Sequence, residues 1–367
     1  MPVIEITDLC KSYGTKLAVD GVSFMVRPGE VTAFVGPNGA GKSTVLRIAL
    51  GLDAPDRGSA LIQGRLYRLL DAPARRVGAL LDASAMHPAQ TGRMHLRVLA
   101  QAAGLPPERV DRVLAQVGLE SAAGSRVRTY SLGMRQRLGI AAALLGEPDV
   151  LILDEPTNGL DPEGIRWFQH LLRSSAAAGL AVLISSHHMS ELEQTADRVV
   201  VIAAGRIVAD ARLSELVYGP GAPTMRVETL DVAALRAAVA AAGGSSVPAQ
   251  GAAGTGRVAD ELKPTAGAAT IDGDGDAGGS AAFVDVQGLS RAALAELFLQ
   301  ARIRVLSLAP LRTSLQDVYA RLTTDLEQYR FGGELPQEPD VWQDGGYVAR
   351  LPRQLGGVGE CLKGRIR

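Results

Sequence analysis

Short, almost wholly apolar runs punctuate the first part of the chain: VTAFV (31–35), DVLIL (149–153), LAVLIS (180–185) and RVVVIAA (198–204). Runs of this length and Val/Ile/Leu content read as strands buried on both faces. VIEITDL (3–9), GVSFMV (21–26), ALIQG (60–64) and RVGALL (76–81) read as further strands. Between them the apolar period lengthens. In PERVDRVLAQVGL (107–119), Val110, Val113, Leu114 and Val117 fall on one helical face. Helices are also predicted at 43–50, about 132–146 and 162–178. Strands alternating with helices predict an α/β fold, with a parallel sheet covered on both faces.

The pattern changes after about residue 218. Strands at 225–230, 281–287 and 304–309, with helices at 231–243, 290–301 and 314–323, predict a small α+β domain over 219–325. A ferredoxin-like arrangement is the candidate. Asp231 is the expected N-cap of its first helix. A Gly/Ala-rich stretch at about 244–280 is too poor in large apolar residues to fold alone and is expected to be a flexible insertion. The tail, 326–367, mixes turn formers and charges without a period and is expected to be mostly disordered.

Composition narrows the classes. A length of 367 residues allows about two domains. The formal net charge of −1 gives no basic signal, so no nucleic-acid partner is expected. No apolar stretch approaches the ~18 residues of a membrane span, and MPVIEITDLC has no signal-peptide pattern. The two cysteines, Cys10 and Cys361, stand at opposite ends of the chain, which argues against a structural disulfide, and the phosphate-binding loop at 36–44 implies a reducing, ATP-containing compartment and so a cytoplasmic setting.

Chemistry enters at GPNGAGKST (36–44), which fills every position of a phosphate-binding loop between a strand and a helix. Gly36, Pro37, Asn38, Gly39, Ala40, Gly41, Lys42, Ser43 and Thr44 are therefore the candidate triphosphate-binding residues. Backbone N–H groups turned inward cradle the phosphates, and a side chain at Gly36 or Gly41 is expected to intrude on the phosphate oxygens. Lys42 is expected to reach the β- and γ-phosphates and the Ser43 hydroxyl to meet Mg²⁺. The helix N-terminus adds its dipole to the site. A second motif, VLILDEP (150–156), ends a strand in two carboxylates. Asp154 is the candidate Mg²⁺ ligand through water, and Glu155 the candidate to polarise the water attacking the γ-phosphate. Alone, two such acids could form a solvated turn; beside the phosphate loop the catalytic reading is the expected one.

Before that strand stands YSLGMRQRLGIAAALLGEP (130–148). Together with the two preceding motifs it resembles the ATP-binding subunits of ABC transporters, with an SLGM-type signature similar to the antibiotic and peptide exporters of the bacitracin type. The resemblance covers residues 1 to about 218. It implies a P-loop NTPase fold with a RecA-like core, an antiparallel β subdomain and a helical signature subdomain, binding ATP with Mg²⁺. Ser131 and the Gly133 N–H, at a helix start, would form a second anion site completing the pocket of an opposite subunit. Leu132 and Met134 depart from the LSGGQ pattern. Tyr13 fits the aromatic residue that stacks on adenine, Asp161 in NGLD (158–161) the D-loop, and His187 in SSHH (185–188) the switch histidine. Lys42, Glu155 and His187 would be the catalytic set. Asp82 stands where the family has the Q-loop glutamine, within reach of Mg²⁺ or the attacking water, and leaves coupling to the membrane partner in question.

The implied function is the ATP-hydrolysing subunit of an exporter. It would act as a homodimer or heterodimer of nucleotide-binding subunits, held at the inner face of the cell membrane by a separately encoded transmembrane permease. A soluble ABC-type ATPase acting on ribosomes or DNA and a weakly hydrolysing regulatory subunit are the alternatives. No tandem nucleotide domain, long coiled coil or zinc-type cysteine pattern supports the first, and Asp82 alone favours the second. IDGDGDAGG (271–279) imitates a calcium loop, but Ala277 and Phe283 stand where Gly and Glu are needed, and it reads as a solvated acidic linker.

Overall fold

The computed structural model describes residues 2–219, 224–249, 281–320 and 322. The expected insertion beyond residue 249, its calcium-loop imitation, Cys361 and the 326–367 tail lie outside the described residues. The chain divides into two units, one founded on Met1–Leu213 and one on Ser214–Thr313.

The first unit contains β1 (Ile4–Tyr13), β2 (Lys16–Val26), β3 (Val31–Val35), β4 (Arg57–Ile62), β5 (Val77–Leu80), β6 (Val150–Asp154), β7 (Ala181–Ser186), β8 (Arg198–Ala203) and β9 (Arg206–Arg212). They form an antiparallel sheet ordered β2-β1-β4 and a six-stranded sheet ordered β5-β6-β7-β3-β8-β9. Strands β5 to β8 and β3 run parallel, and β9 returns antiparallel along the edge. Every residue of β3 and β7 is buried, which is why these strands read as unbroken apolar runs rather than as alternation. The Phe24 and Phe34 rings pack 5.1 Å apart within the core. Each such fully buried side chain contributes about 1.5–3 kcal/mol of transfer free energy.

Helices α1 (Lys42–Ala49), α2 (Pro73–Arg76), α3 (Gly92–Ala102), α4 (Glu108–Gln116), α5 (Leu132–Leu144), α6 (Pro162–Ala177) and α7 (Met189–Leu192) complete this unit. On α4, Val110, Val113 and Leu114 are buried as their spacing predicts. Helix α3 is not legible in the apolar pattern. It buries Gly92, Leu96 and Ala100 and turns Met94, Val98 and Leu99 outward, so Leu96 alone of its large apolar residues marks its packed face. Thr91 starts it by accepting the Met94 N–H at 3.1 Å.

The second unit holds α8 (Leu213–Tyr218), β10 (Met225–Thr229), α9 (Val232–Ala241), β11 (Ser245–Pro248), β12 (Ala282–Gln287), α10 (Arg291–Gln300) and β13 (Val305–Pro310). Its sheet is antiparallel throughout and ordered β11-β12-β10-β13, the ferredoxin-like arrangement of a βαββαβ chain. Met225, Val227, Val284 and Val286 pack beneath Leu235, Val239 and Leu294 of the two long helices.

Three expectations change here. Strand β11 occupies part of the stretch expected to be insertion, because its backbone pairs with β12 although its side chains are small. The helical residues from 315 group with the first unit, where the Leu315 N–H donates to the Glu193 carboxylate, rather than closing the α+β domain. Asp231 stands before α9 without a side-chain cap, because its carboxylate is taken by Arg304.

Candidate functional site

Parallel pairing sets the site. Strand β7 lies between β6 and β3, with Asp154 opposite Ser185 and Val35 opposite Ser186. The segments bearing Asp154-Glu155, His187 and Gly36 therefore leave the sheet side by side at its carboxyl edge, where open α/β sheets bind ligands. Loop 36–41 turns into α1 with Gly41 as an N-cap lacking any side-chain hydrogen bond, so the first amides of α1 have no capping group. Pro37, Asn38, Gly39 and Ser43 are exposed, whereas Gly36, Ala40, Gly41 and Lys42 are buried.

The fold supplies its own requirement for glycine in this loop. A Cβ at Gly36 would lie 2.3 Å from the Ile202 carbonyl oxygen, and one at Gly41 would lie 2.6 Å from that of Ala18. Neighbouring backbone by itself excludes a side chain at both positions. Gly39 has open space around it and needs glycine for its φ of 81°.

Lys42 Nζ donates to the carbonyls of Gly36 at 2.7 Å and Pro37 at 3.3 Å and lies 3.6 Å from Glu155 Oε1. The other Glu155 oxygen lies 2.7 Å from His187 Nδ1, and the His187 and His188 rings are 3.9 Å apart. Glu155 sits at a φ of 48°, a left-handed conformation costly for a residue with a Cβ. It is held there by three bonds: its N–H donates to the Ser185 carbonyl and hydroxyl, and its carbonyl accepts from Gln136 Nε2 at 3.3 Å. The Ser185 hydroxyl in turn donates to Asp154. Lys42, Asp154, Glu155 and His187 thus stand together.

The remaining candidates stand in separate local networks. Tyr13, at the end of β1, is 47% exposed, and its hydroxyl donates to Asp53 at 2.8 Å. Asp82, just beyond β5, accepts the Ser84 N–H at 2.7 Å, and its bonds to Ser84 hold its carboxyl below the usual carboxylate range. Ser131 caps α5 by accepting the Met134 N–H at 3.1 Å. Its own O–H is still able to donate. Gly133 lies against the Gly159 carbonyl, where a Cβ would stand 2.9 Å away, and the Leu132 side chain covers Gly159. Asp161 caps α6 by accepting the Gly164 N–H at 2.8 Å.

The ABC transporter family profile matches residues 19–158. The bacitracin transport ATP-binding protein BcrA of Bacillus licheniformis is 40% identical over 58% of this chain and 71% of its own length. The chain belongs to the ABC transporter ATP-binding proteins. The lantibiotic transport ATP-binding protein SrtF of Streptococcus pyogenes is 36% identical over 57% of this chain and 90% of its own length. A solved structure described as the ATP-binding subunit of an ABC transporter superposes with a TM-score of 0.54 at 32% identity, over 58% of this chain and 91% of its own.

Two residues of this ABC ATP-binding protein matter to the site without having stood out in the sequence. Ser185 ties Asp154 to Glu155, and Gln136 bonds the Glu155 carbonyl. Only pairing of β6 with β7, and packing of α5 on the sheet, reveals either role. No helix among the described residues is long and apolar enough to cross a membrane. No group of three His, Cys, Asp or Glu among them could hold a metal ion by itself. The hydroxyl of Ser43 and the carboxylate of Asp154 are hard oxygen donors that suit Mg²⁺, which is ordinarily bound by one or two protein groups with substrate phosphates and water.

Proposed function

We propose that the chain is the ATP-hydrolysing subunit of an exporter for antibiotic or peptide cargo, working as a dimer on a separately encoded membrane permease. One observation carries the hydrolytic reading: Glu155 is positioned between Lys42 at 3.6 Å and His187 at 2.7 Å, at the edge of the sheet beside the phosphate loop. Transport of bacitracin and of a lantibiotic by its relatives supports the cargo class. The triphosphate would lie along loop 36–41 and the first turn of α1. Lys42 exchanges its carbonyl acceptors for the β- and γ-phosphate oxygens. Glu155 accepts a proton from, and so polarises, the water in line with the γ-phosphorus. His187, whose Nδ1 serves the Glu155 carboxylate, has Nε2 left for the γ-phosphate. Ser43 and Asp154 would hold Mg²⁺, with Asp82 at its margin, and the ion would supply charge neutralisation of the β- and γ-oxygens. Tyr13 would stack on adenine.

Ser131 and Gly133 would close the phosphate site of the opposite subunit, with Asp161 at the same interface. Hydrolysis reopens the dimer and moves the permease. Glu155→Gln tests the reading: at saturating ATP it should accumulate as an ATP-bound dimer with turnover reduced at least ~100-fold. A variant that stays monomeric in sedimentation, while the unmodified protein hydrolyses ATP normally, would remove the closed-dimer mechanism.

A further inference from the structure

The phenol of Tyr13 is anchored by a pair of side chains that no motif includes. Its hydroxyl donates to Asp53 Oδ2 at 2.8 Å. The same carboxylate receives Arg47 on both oxygens, Nε at 2.8 Å and Nη2 at 3.2 Å, a bidentate contact that fixes its plane. Arg47 belongs to the last turn of α1, whose first turn carries Lys42, Ser43 and Thr44. Lys11 Nζ lies 5.5 Å from the Tyr13 ring centroid. The ring is therefore bonded through Asp53 to the helix that begins at the phosphate loop, although half of its surface faces solvent.

The electrostatics agree with this geometry. Hydrogen bonds from Arg47 and then Tyr13 hold the Asp53 carboxyl below its usual range. Partial burial and then Asp53 raise the Tyr13 phenol, with Thr44 opposing. The hydroxyl is thus a donor at neutral pH and the carboxylate its fixed acceptor. A tyrosine at the end of a strand that only stacked on a base would need no such tether, because stacking uses the ring face. Left untethered, an exposed ring samples several rotamers and loses that freedom on binding.

We propose that Arg47 and Asp53 are positioning residues for nucleotide binding, holding the Tyr13 ring preformed as the base-stacking wall at a fixed place relative to the phosphate loop. The inference rests on the reading of Tyr13 as the base-stacking side chain. It assigns the pair no contact with nucleotide. It also predicts indifference to the base edge, since a tether that fixes a ring face discriminates little between purines.

Equilibrium titration of the full chain with ATP, GTP and inorganic tripolyphosphate tests it. Asp53→Ala and Tyr13→Phe should each weaken ATP and GTP about 3- to 10-fold, the worth of one positioned hydrogen bond. Their losses should not add in the double variant, and Asp53→Ala should bind tripolyphosphate as the unmodified protein does. Tyr13→Phe keeps the ring and removes the hydroxyl with its bonds to Asp53 and Thr44, so it reads the tether even if Asp53→Ala folds poorly, provided that it too binds tripolyphosphate as the unmodified protein does. A Tyr13→Ala loss for ATP with no loss in Tyr13→Phe would overturn the tether while leaving the stacking reading intact. Unchanged ATP affinity in Tyr13→Ala would overturn both. An equal loss for tripolyphosphate in Asp53→Ala would make Asp53 a support of the phosphate loop and overturn the proposal.

Discussion

In the first unit the parallel strands β3, β6 and β7 stop together, and Lys42, Glu155 and His187 converge on one another at that edge. In the second unit antiparallel strands bring charges together in closed pairs: Arg226 grips Asp285 with two bonds at 2.8 and 2.9 Å, and Arg304 grips Asp231. The difference lies in how each sheet type places its strand ends. Parallel strands deliver every carboxyl end to one side, so several reactive groups share a crevice and one carboxylate must serve two partners. Antiparallel strands alternate their ends, and cross-strand neighbours such as Arg226 and Asp285, directly paired in register, satisfy each other. Shared charges suit chemistry, whereas matched pairs suit structural support.

The largest break in this contrast should come from Lys42→Ala. It removes the cation of the shared cluster, and ATP affinity should fall at least ~100-fold by equilibrium binding, because the proposed charge-assisted contacts to the phosphates vanish. Next, Gly36→Ala should cost about 2–4 kcal/mol in thermal or denaturant unfolding, since its Cβ meets the Ile202 backbone at 2.3 Å, whereas Gly39→Ala, with open space, should cost only about 1 kcal/mol of φ strain. Equal costs at the two positions would show that loop conformation, not the Ile202 approach, demands glycine at 36.

Arg226→Ala leaves Asp285, 7% exposed, without its partner. It should destabilise the second unit by about 1–3 kcal/mol, read as faster hydrogen exchange there, with ATPase activity retained. Loss of ATPase activity would erase the proposed division of labour between the units. The smallest effect belongs to Asp231→Asn. Arg304 lowers the Asp231 carboxyl to about 2, so the ionised pair stabilises the fold above the unfolded value of about 4 and is lost as pH falls through about 2. The stability gap between the unmodified protein and Asp231→Asn should therefore be present at neutral pH and shrink between about pH 4 and pH 2. A gap independent of pH would show that the packing of Asp231, not its charge, matters.

The sequence marks residues whose role depends on local order along the chain. The spacing of Gly36, Gly41, Lys42 and Ser43, and the apolar run that ends in Asp154-Glu155, are enough to name the candidate site. Elements held by long-range backbone pairing leave weaker marks. Ser245–Pro248 becomes a strand only because β12 offers its edge, and β9 only because β8 does. Helix α3 hides because Met94, Val98 and Leu99 face outward and Leu96 inward. Asp231 has the right position for a cap, but Arg304, far along the chain, takes its carboxylate.

By itself, the order of residues determined the family, the phosphate loop and the alternation of strand with helix, because each follows from neighbours within a few positions. Tertiary structure decided the rest: which carbonyl excludes a side chain at Gly36, which serine fixes Glu155, and which carboxylate holds Tyr13. Those partners come from segments remote in sequence, and a spacing rule sees only what lies close along the chain.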